Sequence, residues 1–548
     1  MTAWPWNMLV TFASAALVAP VGFAAEAGRC ETYAVIELAF RGPLQSPQDS
    51  PARDVELRVT FRHEAGGEHE LSGFHDGGSD FKVRFCPTKP GRWELARVAS
   101  NARQLDGQRQ GDHVTATAAR NHGFWEIDAE SPGQRWYRRS DGSHQFIFGN
   151  TQYSFLSGMK DDGPSGNDIA TDVAANAGYF KKLRFSLTGD RYTHPTEKPF
   201  LDDQGRPTDS GDHSHRPNPK WFRERVDLAV RTAYDHDLIA DLILAGPDVE
   251  DARAPLRAAA NRGDATPYLR YIAARYGSYP NVWICLCNEY DIKRPVWEPA
   301  EMAQFGASIR EHLPYPTPLS VHASQHPDNG PKKPEAPAWS AKFDALPPWN
   351  DHQIIQRKLR SIAAAADVTQ RTWQPPDGSP RLKPTVNDEL SYQGAGDKHS
   401  EGDTLEAHLG AFLGGGYAST GEKRGNKLGH YFWGHFNPDE HSAAKGLKFL
   451  RESIDAHVTF WKMSPDASVF PDLDPAFRAL AWPDREYCLG TNKAAKIIVE
   501  LPTGVWTVRQ FDAVACQAAT LTDKATGRFS VNSPDSRAVL IHFRRNAD

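Results

Sequence analysis

The spacing of apolar and polar residues changes rhythm along the chain. Between about 32 and 117, short runs alternate apolar with polar: Ala34-Val35-Ile36-Glu37-Leu38-Ala39-Phe40, Val55-Glu56-Leu57-Arg58-Val59-Thr60-Phe61, Phe81-Lys82-Val83-Arg84-Phe85 and Arg92-Trp93-Glu94-Leu95. Gly66-Gly67, Gly77-Gly78 and Pro90-Gly91 separate them. Period two punctuated by turn residues predicts a small antiparallel sandwich. Beyond Arg120 the runs become apolar throughout and end in polar residues, at 146–151, 183–187, 238–244, 282–287, 319–322, 353–356, 383–389 and near Tyr417. Helix-length segments lie between them, at 169–177, 219–234, 268–275, 300–312, 357–366 and 404–412. Strands buried on both faces show no alternation, and roughly eight β/α units in series predict a (β/α)8 barrel.

Barrel chemistry belongs where the strands stop, at their C-terminal ends. The run Val282-Trp283-Ile284-Cys285-Leu286-Cys287 stops at Asn288-Glu289. By itself that dipeptide reads more readily as the cap of the next helix than as a catalytic group. A second run, Lys383-Pro384-Thr385-Val386-Asn387-Asp388, stops at Glu389. Counting units puts Glu289 after the fourth strand and Glu389 after the seventh, facing each other across the mouth. Two carboxyls so placed suit glycoside hydrolysis: one protonates the leaving oxygen while the other attacks the anomeric carbon or activates water. Carboxyls ~5–5.5 Å apart retain configuration and carboxyls ~6.5–9.5 Å apart invert it.

Other residues are candidates for substrate contact. Asn288 is placed to bond the hydroxyl next to the reacting carbon. Arg184, in the second strand, either holds Glu389 ionised or forms a structural salt bridge. His322 ends the fifth strand, and Tyr392 follows closely on Glu389. Asp161, after the first strand, is a substrate contact or a solvated acid. Trp433 is a subsite platform or a core ring, which look alike in sequence. His213-Ser214-His215 lacks a third ligand, so no metal is expected. A Gly-x-Ser-x-Gly elbow, His-Glu-x-x-His, a Walker loop and a dinucleotide fingerprint are all missing from the sequence, and no cofactor is expected.

Composition narrows the class. At 548 residues the chain exceeds one compact core and should form two or three domains. A net charge of −6 with no basic run excludes nucleic acid as an expected partner. The 15 tryptophans fit either sugar stacking or core filling. Residues 8–23 are apolar and small, and Gly22-Phe23-Ala24 or Ala25-Glu26-Ala27 offers a cleavage site, although no Lys or Arg precedes the run. That stretch is short for a stable membrane span, so export to the periplasm or medium is expected, with an uncleaved anchor as the alternative. In an oxidising compartment Cys30 could bridge Cys86, and Cys488 could bridge Cys516. Cys285 and Cys287, two apart on a strand, share a face and should pack as small hydrophobes.

Several of these motifs resemble a known group. Tyr279-Pro280-Asn281-Val282 followed by Asn288-Glu289 resembles the fourth strand of the clan of retaining glycoside hydrolases with glutamates on strands four and seven. Within that clan, Phe148-Gly149-Asn150-Thr151 and Phe460-Trp461-Lys462-Met463-Ser464-Pro465-Asp466 are similar to segments of the apiosidase-like hydrolases. The leading sandwich resembles the uncharacterised β-domain that precedes such barrels. Residues 485–512 resemble their C-terminal collagen-binding-like β-domain. The resemblance implies a retaining mechanism with Glu289 as acid/base and Glu389 as nucleophile. Cys287 departs from the small residue, often Gly, usual before Asn-Glu, and the 189–218 insertion is also unlike the family, so specificity does not transfer.

The resulting expectation is an α/β protein: a signal peptide over 1–27, a β-sandwich over 28–120, a (β/α)8 TIM barrel over 121–466 and an all-β domain over 467–548. Its expected partner is a polysaccharide or oligosaccharide substrate. A carbohydrate-binding barrel without catalysis and a polysaccharide lyase are the alternatives; sugar, linkage and oligomeric state are not legible.

Overall fold

The computed structural model describes residues 26–119, 121–154, 156, 166–188, 197–247, 249–323, 349–375, 380–394, 398–422 and 436–546. Residues 1–25 of the expected leader, Asp161 and Trp433 lie outside the described residues, and Glu26 and Ala27 belong to a strand.

Eight parallel strands form the centre: β1 (Phe148–Thr151), β2 (Lys182–Ser186), β3 (Ile239–Ile243), β4 (Val282–Cys285), β5 (Leu319–Ser320), β6 (Gln353–Ile355), β7 (Thr385–Gln393) and β8 (Tyr417–Glu422). They are ordered β5-β4-β3-β2-β1-β8-β7-β6, and a single parallel bridge from His322 to Ile354 joins the two ends into a barrel. Every residue of β2, β3 and β4 is buried, as expected where helices cover one face and barrel interior the other.

The helices are α1 (Gly166–Ala177), α2 (Asp227–Asp235), α3 (Glu250–Arg253), α4 (Thr266–Tyr276), α5 (Pro299–Arg310), α6 (Ile362–Trp373), α7 (Glu401–Leu413) and α8 (Ala443–His457). Two of the expected helices differ from the sequence pattern, and α3 and α8 have no counterpart in it. The helix expected at 357–366 starts instead at Ile362, where the Ser361 side chain accepts from the Ala364 amide. Residues just before it are claimed by β7: Leu359 N–H donates to Leu390 O and Arg357 N–H to Asn387 Oδ1. The helix expected at 219–234 carries a π turn over Phe222–Val226 before α2.

Before the barrel, a five-stranded sheet (Glu26–Glu31, His113–Thr117, Gly91–Ser100, Leu57–His63, Glu68–Ser72, in that order) faces a three-stranded one (Ile36–Arg41, Asp80–Phe85, Phe74–Gly77). Leu38, Val59, Phe61, Val83, Phe85 and Trp93 fill the space between them. The sandwich is not purely antiparallel, because Glu26–Glu31 pairs parallel with His113–Thr117. After the barrel comes a six-stranded sheet with a separate pair, Ala495–Glu500 and Arg528–Ser533. Helix α7 is buried from Thr404 to Leu413 because this C-terminal sheet covers it. Gly490 permits the approach: a Cβ there would stand 2.3 Å from the Leu413 side chain.

All six cysteines are free thiols, so neither expected bridge is formed. Cys488 is buried in a sheet, whereas Cys516 sits exposed in a turn, its thiol directed at Ala513 O. Cys285 and Cys287 do not share a face. The strand ends at Cys285, which joins Tyr153, Ile243, Ile354 and Tyr392 inside the barrel, and Cys287 packs into the larger surrounding core. Among the described residues no helix is long and apolar enough to cross a membrane.

Candidate active site

Both glutamates reach the barrel mouth through departures from regular backbone. Past β4 the chain leaves the ladder, and Glu289 adopts φ 47°, the left-handed region that most side chains avoid. Gly246 makes room for the turn: it has φ 129°, and a Cβ on it would stand 2.9 Å from the Asn288 Cβ. In β7 the register against β8 slips between Asn387, opposite Ala418, and Ser391, opposite Thr420. The extra residues form a bulge, and bulges re-aim side chains. Asn387 consequently bonds Arg357 outside, Asp388 bonds Lys182 and Ser419 inside, and Glu389 turns to the mouth.

The two carboxylates share a donor. Gln356 Nε2, at the end of β6, donates to Glu289 Oε1 at 2.8 Å and to Glu389 Oε2 at 2.8 Å. Those two oxygens therefore stand no further apart than twice that length. The remaining oxygens have separate partners. Tyr153 OH donates to Glu389 Oε1 at 2.5 Å, and Lys293 Nζ pairs with Glu289 Oε2 at 2.6 Å. Both glutamates are at most 5% exposed.

Beneath them Arg184 links Tyr153 to Asn288. Its Nη1 donates to Tyr153 OH at 3.0 Å and its Nη2 to Asn288 Oδ1 at 2.8 Å. Its Nε stands 3.7 Å from Asp388 and 3.9 Å from Asp241. Lys182, two residues earlier on the same strand face, pairs with Asp241 at 3.0 Å and with Asp388. Two cations and two carboxylates, all fully buried, thus sit inside the barrel. His322 Nδ1 lies 2.5 Å from Asn288 Oδ1 and 3.2 Å from Arg184 Nη2. With Oδ1 committed to Arg184 and His322, the Asn288 amide nitrogen has no partner among the described residues and keeps its two donors for a ligand.

The electrostatics follow from this arrangement. Burial and then the facing Glu289 carboxylate push Glu389 above the usual carboxylate range, opposed by Lys358, the Tyr153 hydroxyl and Arg184. Burial, then Glu389, raises Tyr153 well above an ordinary phenol, which keeps its hydroxyl a donor. Burial and Arg184 hold His322 far below the usual imidazole range, hence neutral. Burial acts to raise Asp388, but Lys182 and Arg184 outweigh it and hold that carboxyl well below the ordinary range.

Of the residues expected from sequence, the structure brings together Glu289, Glu389, Asn288, Arg184 and His322. Tyr392 is buried, and Lys358 Nζ sits 4.7 Å from its ring centre. Arg184 reaches Glu389 only through Tyr153, not by a direct ion pair. The sequence reading missed Tyr153, Gln356, Lys293, Lys182, Asp241 and Asp388. Lys182 and Arg184 left a trace, two cations two residues apart in an apolar strand; Gln356 closes the run Gln353-Ile354-Ile355 and was readable as a strand end.

Comparison with known proteins bears on family and fold. The catalytic-domain signature described as apiosidase-like matches residues 131–409, and a domain of unknown function, DUF5060, matches 29–98. None of the curated proteins compared matches significantly. A solved structure from Bacteroides vulgatus ATCC 8482, described as a candidate glycoside hydrolase, superposes with TM-score 0.72 at 20% identity, over 95% of this chain and 100% of that one. A glycoside hydrolase family 5 protein from the same organism gives TM-score 0.59 at 12% identity, over 78% and 95%. Another, described simply as a glycoside hydrolase, gives 0.58 at 13%, over 78% and 98%. At these identities the structures show the shared fold. The signature spans more than half of the chain, and it establishes that this protein belongs to the apiosidase-like family.

Proposed function

We propose that the protein is a glycoside hydrolase that retains anomeric configuration, with Glu389 as nucleophile and Glu289 as acid/base. The observation carrying this reading is the shared donor. Two oxygens 2.8 Å from one Gln356 nitrogen are too close for the ~6.5–9.5 Å separation that admits an attacking water, and suit the shorter retaining spacing. Glu389 attacks the anomeric carbon while Glu289 gives its proton to the leaving oxygen. Water, deprotonated by Glu289, then displaces Glu389 and restores both groups. Tyr153 and Arg184 stabilise the Glu389 carboxylate between turnovers. The Asn288 amide donates to the neighbouring hydroxyl, a contact that strengthens as charge develops on the ring. The substrate is a polysaccharide or a glycan side chain, and the apolar leader at 8–23 extends the reading to an exported enzyme.

The test is turnover of a panel of polysaccharides and aryl glycosides, with the first-formed anomer followed by proton NMR. Glu289→Gln and Glu389→Gln should each abolish turnover, and the wild type should release product of retained configuration. Unchanged activity in either variant, an inverted product, or an unsaturated product absorbing in the ultraviolet overturns the assignment.

A further inference from the structure

Arg253, the last residue of α3, is fully buried, and none of the ion pairs among the described residues gives it a carboxylate. Its guanidinium is instead spent on carbonyl oxygens. Nη1 donates to Pro247 O at 3.0 Å and to Asn288 O; Nη2 to Glu289 O at 3.1 Å, Lys293 O at 3.1 Å and Pro295 O at 3.4 Å; Nε to Arg294 O at 3.2 Å. Five of these six carbonyls belong to the segment between Asn288 and Pro295, so the loop after β4 wraps around one side chain.

The pattern singles out Glu289. The Asn288 carbonyl belongs to the peptide before the Glu289 Cα and the Glu289 carbonyl to the peptide after it. A planar, rigid fork that grips both fixes the φ and ψ of the residue between. The φ so fixed, 47°, is one that a side-chain-bearing residue does not hold unaided. The flanking amides are also tied, Asn288 N–H to Ala245 O at 2.9 Å and Tyr290 N–H to His322 O at 3.1 Å. Gripping Lys293 O also seats the ammonium that meets Glu289 Oε2.

We infer that Arg253 is the positioning residue for the acid/base: it touches neither substrate nor reacting atoms, and it aims the Glu289 carboxyl by pinning both of its peptide planes. This rests on the reading of Glu289 as acid/base. Misplacing a catalytic group by about 1 Å costs about 10²-fold in rate, and the loss should fall on proton transfer alone.

Leaving groups separate that effect from general damage. A phenyl glycoside needs its leaving oxygen protonated, whereas 2,4-dinitrophenolate departs without help. Azide attacks the glycosyl-enzyme without a base: the N–C1 bond forms, the Glu389–C1 ester bond breaks, and Glu389 leaves as carboxylate. The probes are phenyl and 2,4-dinitrophenyl glycosides of the sugar that wild type hydrolyses fastest, with and without sodium azide. Arg253→Met should lower kcat/KM about 10²-fold on the phenyl glycoside and only a few-fold on the dinitrophenyl one, with azide restoring turnover as a glycosyl azide. Arg253→Lys, which keeps the charge but not the fork, should fall between Met and wild type. Equal losses on both leaving groups, no loss, or loss of the folded barrel in both variants by near-ultraviolet circular dichroism overturns the inference. Glu289→Ala, run alongside, should show the same leaving-group signature more strongly; if it does not, the acid/base reading itself has failed.

Discussion

The chain buries two networks of charge, one at the seam between the N-terminal sheets and the barrel helices, the other inside the barrel. At the seam Asp227 of α2 is held by two guanidiniums: Arg84 at 3.1 and 2.5 Å, and Arg275 at 2.9 and 2.7 Å. Asp76 adds a bond to Arg275 at 2.9 Å. The two guanidiniums on Asp227 are matched fork to carboxylate, and they fasten one element to another. Inside the barrel, Arg184 spreads its donors over Tyr153 and Asn288, while its Nε faces two carboxylates without bonding either closely. A network closed on itself adds rigidity, whereas one with donors passed outward acts on whatever enters. Burial and ion content are alike in both; what differs is whether the last donor ends on protein or on the mouth.

That contrast can be broken, beginning with the largest effect. Glu389→Gln should lower kcat by on the order of 10⁶ while thermal unfolding leaves stability unchanged or higher, since a buried like charge is removed; a variant that unfolds early with normal kcat would reverse the roles of the two networks. Asp227→Asn should do the opposite. Removing the carboxylate that the two buried guanidiniums share costs about 3–5 kcal/mol by denaturant unfolding, with kcat per folded molecule unchanged.

Tyr153→Phe removes a hydrogen bond to a charged group, about 1.5–3 kcal/mol, so activity should fall about 10- to 100-fold. That bond favours ionised Glu389, so the acidic limb of kcat/KM should also move to higher pH. Acid titration separates the networks again. Burial opposes ionisation of Asp227, but Arg275 and Arg84 outweigh it and hold the carboxyl far below its usual range. A depressed folded value means stability that is present above the unfolded value of about 3.9 and lost as pH falls below it. Wild type should therefore lose stability more steeply than Asp227→Asn below about pH 4. The smallest effect is the control: Lys448→Ala breaks an exposed pair with Glu452 on α8 and should change stability by less than about 0.5 kcal/mol.

Sequence legibility divides along a physical line. Barrel strands and most helices were readable because burial on both faces, or on one helical stripe, imposes a local periodicity. Glu289 was readable because it stands where an apolar run stops; the same reasoning reached Glu389, although β7 runs on past it to Gln393 and a bulge, not a strand end, turns it to the mouth. The start of α6 was not, since backbone bonds from residues 357 and 359 to β7 override local helix preference. Free Cys30, Cys86, Cys488 and Cys516 show the limit of arguing from compartment without distances.

What the sequence determined by itself is the order of the elements and the two glutamates four and seven strands along the barrel, because these depend on residue character taken in series. What only the tertiary structure decided is how those glutamates meet. A bulge turns Glu389 to the mouth, a left-handed residue held by Arg253 presents Glu289, and Gln356 bonds both. Gln356, Arg253, Tyr153 and Arg184 come from four separate segments, and their distances exist only once the barrel closes.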